Sequence, residues 1–120
     1  MTHILEIYKN AWETHNHTLL HNIFCEDAIY QEKPNNILSG IKEIENYWDM
    51  LAKTQKNVLF NVKDIQKCND VLIVEWNSQF ERIDLKELWK LEGIMTLHLK
   101  ENKIAILKEY FFIQKYPLNQ

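Results

Sequence analysis

Apolar residues follow a helical period in the first half of the chain and alternate with polar ones through most of the second half. Ile4, Tyr8, Ala11 and Trp12 share one helical face. Asn16 is suited to cap a second, short helix that carries Leu19, Leu20, Ile23 and Phe24. Asp27 to Glu32 reads as a strand, and Lys33-Pro34-Asn35-Asn36 ends it in a loop. Gly40 opens a third helix in which Ile41, Ile44, Trp48 and Leu51 keep the helical period. Beyond Asn57 the period falls to that of a strand. Val58, Phe60 and Val62 form one inward set, and Leu72, Val74, Trp76, Ser78 and Phe80 a second. A third set is Trp89, Leu91, Gly93, Met95, Leu97 and Leu99. Asn69-Asp70, Ile83 to Lys86 and Glu101-Asn102 supply the turns.

The last strand, Ile104 to Gln114, is apolar on both faces: Ile104, Ile106, Tyr110 and Phe112 oppose Leu107, Glu109, Phe111 and Ile113. The first of these sets is expected to face the helices. Three helices followed by long strands and tight turns give an α+β class, with helices on one face of a mostly antiparallel sheet. The second face of the last strand is then expected to be a homodimer contact, because an uncovered apolar sheet face would be a sizeable exposed patch. A strand tucked under loops is the alternative.

Composition adds mainly exclusions. Residues 1–120 are the size of a single domain. A net charge of −3 with no basic block argues against nucleic acid as a partner. No apolar run reaches the ~20 residues of a membrane span, and Met1 to Glu6 lacks the layout of a signal peptide. Cys25 and Cys68 are then expected to be reduced thiols in a cytoplasmic protein. No phosphate loop, nucleophile elbow or metalloprotease helix is present.

The order of motifs resembles a known superfamily. Tyr8-x-x-Ala11-Trp12-x-x-x-Asn16, Phe24-x-x-Asp27-Ala28-x-x-x-Glu32, Gly40 and Tyr47-Trp48 are similar to the nuclear transport factor 2-like proteins. The likeness is to their SnoaL-like polyketide-cyclase and ketosteroid-isomerase branches. The resemblance implies a cone-shaped α+β barrel, in which N-terminal helices pack into a curved sheet around a ligand pocket. It also implies that Tyr8 and Glu32 face each other across the cone. Glu32 would move a proton, and the Tyr8 hydroxyl would stabilise the oxyanion that forms. A carboxylate lining an apolar cone is desolvated toward a useful pKa, and a phenol stabilises charge best where water is excluded. The third group of the isomerase branch, a hydrogen-bond-donating acid, falls on Met95, whose thioether cannot donate.

Trp12, Trp48, Phe60, Trp76, Met95 and Tyr110 are the expected pocket walls for a small apolar molecule, or else plain core. Ser78 is expected to point inward and Asn61 outward. His17 and His21 have the spacing of metal ligands and His15 lies nearby, but these histidines fall on a polar helix face, so no metal or cofactor is expected. Arg82 beside Asp84 reads as a turn rather than the buried relay of the epoxide-hydrolase branch. Two functional readings follow: proton-transfer chemistry of isomerase, cyclase or dehydratase type, or a non-catalytic ligand-binding or dimerisation module.

Overall fold

A computed structural model describes residues 2–118. Helix α1 (His3–Glu13) starts at Thr2, whose hydroxyl accepts from the Leu5 N–H at 3.3 Å. It buries Leu5, Tyr8, Ala11 and Trp12. The second helix is a single 3-10 segment, His17–Asn22. Asn16 does not cap it, because its side-chain oxygen accepts from the Thr18 hydroxyl instead. Strand β1 (Phe24–Glu32) starts earlier than the pattern indicates. The expected loop holds a short strand, β2 (Asn36–Ser39), which folds back on β1. Helix α2 (Ile41–Thr54) follows Gly40, whose φ of 86° is a conformation that side chains disfavour.

Strands β3 (Gln55–Cys68), β4 (Val71–Arg82), β5 (Glu87–Lys100) and β6 (Lys103–Pro117) complete an open six-stranded sheet of order β2-β1-β6-β5-β4-β3. All neighbours are antiparallel except β1 and β6, which are parallel. The helices cover one face, and the core fills the space between. Among the described residues no helix is long and apolar enough to cross a membrane.

Helix α1 is also tied to the edge strand β3. The Glu13 carboxylate accepts from the Phe60 N–H, and the Lys9 ammonium donates to the Phe60 carbonyl and to Glu13. A register shift in β3 between Lys56 and Leu59 lies just before this clamp.

The inward faces of β3, β4 and β5 follow the alternation read from sequence, and Ser78 is buried while Asn61 is exposed. The last strand departs from it. Leu99 pairs with Ile104 but His98 pairs with Ile106, so Ala105 is an extra residue, a β-bulge. Ile104 and Leu107 therefore both point into the core, and from Leu107 onward the odd-numbered residues face the helices. Tyr110 is consequently not inward: it lies on the outer face, 48% exposed, beside Phe112 at 83%.

Gly93 lies under the core. A Cβ there would collide with the Tyr110 carbonyl oxygen and meet the Phe111 Cβ at 2.8 Å and the Trp76 ring at 2.9 Å. The backbone oxygen cannot swing aside as a side chain could. Gly93→Ala is therefore expected to destabilise the fold by about 1–3 kcal/mol, read as a lower urea midpoint with an unchanged slope.

Candidate active site

Glu109 is a buried carboxyl group on the floor of a cleft. It lies on the inward phase of β6 that the Ala105 bulge sets, and only 4% of it is exposed. The Tyr8 hydroxyl of α1 donates to its Oε1 at 3.2 Å, and the Tyr30 hydroxyl of β1 donates to the same atom. Its other oxygen, Oε2, has no hydrogen-bond partner among the described residues. Glu32 pairs with Glu109 across the parallel β1–β6 ladder. The Glu32 Oε1 accepts from the Tyr47 hydroxyl at 2.6 Å and from the Asn36 amide at 3.1 Å.

These groups line a cleft of about 410 Å³ between the helices and the concave sheet face. Tyr8, Trp12, Tyr47 and Trp48 come from the helices, and Phe80, Trp89 and Phe111 from the strands. Tyr8, Trp12 and Trp48 pack on one another, with the Tyr8 and Trp48 rings 5.1 Å apart and edge to face. The Trp12 N–H donates to the buried Gln55 side chain at 2.9 Å.

Burial pushes the Glu109 carboxyl up to about 8, and the neighbouring Glu32 charge adds to the shift, while the Tyr30 and Tyr8 hydroxyls pull the other way. The acid is therefore mostly neutral at pH 7. Burial first, and the Glu109 charge second, raises the Tyr8 and Tyr30 phenols. Burial and Glu32 do the same for Tyr47. All three phenols thus remain protonated donors.

Of the residues expected from sequence, Tyr8, Glu32, Trp12 and Trp48 all line this cleft. Phe60, Trp76 and Met95 do not. They are fully packed in the core, at 0%, 1% and 0% exposure, because the helices cover their part of the sheet. Tyr8 does not face Glu32 alone: its hydroxyl is committed to Glu109. The structure adds Glu109, Tyr30 and Tyr47 to these residues. A signal for Glu109 was present in the sequence, namely a lone carboxylate set among Leu107, Phe111 and Ile113 on one strand face.

Arg82 donates two hydrogen bonds to Asp84, at 2.9 and 2.7 Å, and stacks 4.3 Å from the Trp89 ring at the cleft wall. His21 pairs with Glu45 at 2.7 Å, and His17 sits 3.8 and 3.7 Å from Glu45 and Asp49, which ties the 3-10 segment to α2. No group among the described residues is arranged to hold a metal ion. Both cysteines are free.

No protein-family model matches the sequence, and no curated protein aligns with it significantly. Solved structures do match in fold. A Catenulispora acidiphila protein with a ketosteroid isomerase-like fold, in complex with trimethylamine, superimposes with a TM-score of 0.83 at 15% identity, covering 92% of this chain and 85% of its own. An NTF-2-like protein of unknown function from Burkholderia xenovorans gives 0.69 at 16% identity, covering 98% and 84%. An LEH-like epoxide hydrolase from M. tuberculosis gives 0.78 at 10% identity, covering 91% and 80%.

Because the native state holds the Glu109 proton more tightly than the unfolded chain, it binds more protons between the unfolded value near 4.5 and about 8. The stability from this group is complete below that window and is lost as pH rises through it. Wild-type stability is therefore expected to fall by a few kcal/mol, to order of magnitude, relative to Glu109→Gln across the window. Paired urea titrations at successive pH values measure this difference, and parallel curves would refute the assignment.

Proposed function

We propose that this chain, which has the nuclear transport factor 2-like fold, binds a compact, largely apolar molecule in the aromatic cleft and exchanges protons with it. Glu109 is the acid and Glu32 the carboxylate base. The observation that carries this reading is the side-by-side placement of two carboxyl groups in unlike surroundings. One is sealed among rings and held neutral by burial, while the other accepts from Tyr47 and Asn36 beside the β1–β2 turn. A pair of acids whose environments separate their protonation states supplies a donor and an acceptor at one pH. Tyr8 and Tyr30 orient Glu109 by fixing Oε1, which leaves Oε2 to meet the guest. Reactions of isomerase, cyclase or dehydratase type need such a pair, since each moves a proton off one atom and onto another. A protein of like fold was solved in complex with trimethylamine, a small base, so a guest able to share a proton with Glu109 suits this architecture.

The test is exchange of carbon-bound hydrogen in heavy water, followed by mass spectrometry over a panel of small ketones, enones and amines. Wild-type protein is expected to label a subset of the panel. Glu109→Gln and Glu32→Gln should each lower the rate by about 10²–10⁴-fold, and Tyr8→Phe by less. A wild-type protein that binds panel members without labelling any would leave a non-catalytic binding module.

The outer sheet face is proposed as the contact of a homodimer. Ile94, Tyr110, Phe112 and Tyr116 all stand on it, at 44% exposure or more. A charge placed in the middle of such a face opposes itself across a two-fold axis. Phe112→Lys is expected to convert the dimer to a monomer in analytical ultracentrifugation, with the thermal midpoint of the cleft-bearing fold nearly retained.

A further inference from the structure

The donors that line the cleft are almost all spent on the protein itself. Tyr8 and Tyr30 donate to Glu109, Tyr47 donates to Glu32, and the Trp12 N–H donates to Gln55. The Trp89 N–H donates to Glu87 at 2.9 Å. Among the described residues the Trp48 N–H is enclosed and without a partner, and together with the Gln55 amide and the Glu109 O–H it makes up the remaining neutral donors. The Glu32 carboxylate and the ring faces that line the cleft present negative electrostatic potential. The one cationic side chain in the lining, Arg82, is neutralised by Asp84. Trp89 already carries cations, with the Arg82 guanidinium 4.3 Å and the Lys115 ammonium 4.4 Å from its ring centre.

We infer that the guest of this cleft carries a compact organic cation, a tertiary or quaternary ammonium group, seated against the rings of Tyr8, Trp12 and Trp48 with Glu109 and Glu32 opposite. The inference rests on the proposal that Glu109 exchanges a proton with what binds beside it. It deepens that proposal by fixing the sign of the guest's charge. Cation–π contact with several rings, out of water, gains more than the same contact at a surface. A neutral amine takes the proton directly: the Glu109 O–H bond breaks, its electron pair stays on Oε2, and a new N–H bond forms on the guest. A quaternary ammonium cannot accept a proton, so Glu109 releases it to solvent and its carboxylate faces the fixed positive charge. A phosphate or carboxylate guest would meet the Glu32 carboxylate and the negative ring faces, and is disfavoured for that reason.

The other groups that titrate or carry charge around Glu109 are Glu32, Tyr8, Tyr30 and Tyr47, with Arg82 on the cleft wall. The phenols stay protonated through the range of interest, so the pH response belongs to Glu109.

The decisive measurement is calorimetric binding of choline against its neutral carbon isostere, 3,3-dimethylbutanol, and against cyclohexanone. Titrations are run across the pH range in which Glu109 loses its proton, in buffers of differing ionisation heat. Choline affinity is expected to rise about tenfold per pH unit while Glu109 is protonated and then level off, with one proton released per guest. The isostere should bind at least about tenfold more weakly than choline. In Glu109→Gln, checked for folding by its thermal melt, the pH dependence should vanish. Glu32→Gln should keep the rise but move it to lower pH, and should weaken choline on the plateau. If choline shows no binding at millimolar concentration, binds no better than the isostere, or has an affinity that is flat or falls with pH, the cation inference is overturned. Cyclohexanone that binds more tightly than choline at every pH would overturn it too, while leaving the acid–base cleft intact. A Glu109 that titrates as an ordinary carboxylate in the free protein, followed by carbon-13 resonance of labelled glutamate, would remove both.

Discussion

A carboxyl group buried among aromatic rings governs the arrangement of this protein. An ionised carboxylate taken out of water without a compensating partner costs far more than any single contact returns. The fold meets that cost in two ways: two phenols donate to one oxygen of Glu109, and the group keeps its proton. The phenols come from α1 and β1, while the acid sits on β6. One side chain therefore joins the helical layer to the middle of the sheet, and the apolar packing of Tyr8 and Tyr30 is oriented by a polar contact. Replacing such a centre with well-packed apolar residues is often neutral or stabilising in proteins. Its presence thus fits chemistry better than stability alone.

The site exists because of backbone events at two strands. Without the bulge at Ala105, an unbroken alternation from Ile104 would turn Ile106, Lys108 and Tyr110 inward and send Glu109 to solvent. Close packing of Trp76 over Gly93 lets the sheet approach itself along β5 and β6, just beneath the Tyr110–Phe111 segment. Both features act on the strand that carries the acid. The outer residues Tyr110 and Phe112 are displaced by the same phase change that brings Glu109 in, so one extra residue decides both the chemistry of the concave face and the apolar character of the convex one.

Much of this fold could be read from the chain. Leu72, Val74, Trp76, Ser78 and Phe80 alternate cleanly and are all buried, and α1 and α2 bury the stripe their periodicity marks. What escaped has physical reasons. Ile104-Ala105-Ile106-Leu107 is apolar in either phase, so no pattern of hydrophobicity reveals which residue is the extra one. Asn36-Ile37-Leu38-Ser39 is too short and too polar at its ends to signal a strand, and it forms because β1 offers it an antiparallel edge. Asn16 has the identity of a helix cap but spends its side chain on Thr18. Tyr8, Trp12, Trp48 and Glu32 could be named because a resemblance placed them around a pocket. Glu109 stands out as a lone carboxylate on an apolar strand face, but whether that face turns inward depends on a register that only the folded sheet defines.

The pairing of β1 with β6 gives the last link. It is the one parallel neighbour in an otherwise antiparallel sheet, and its register sets Glu32 directly beside Glu109, with Tyr30 beside Leu107 two positions earlier. Paired residues of a parallel ladder project to the same face, so this register brings two acids into one cleft. Like charges at such a spacing cannot both ionise freely, and the more buried member keeps its proton. The Glu32 charge accordingly adds to the burial that holds Glu109 neutral. The unlike surroundings of the two acids therefore follow from topology and burial. A guest that brought positive charge into the cleft would cancel the repulsion that separates them, so occupancy and the protonation of Glu109 form one coupled equilibrium.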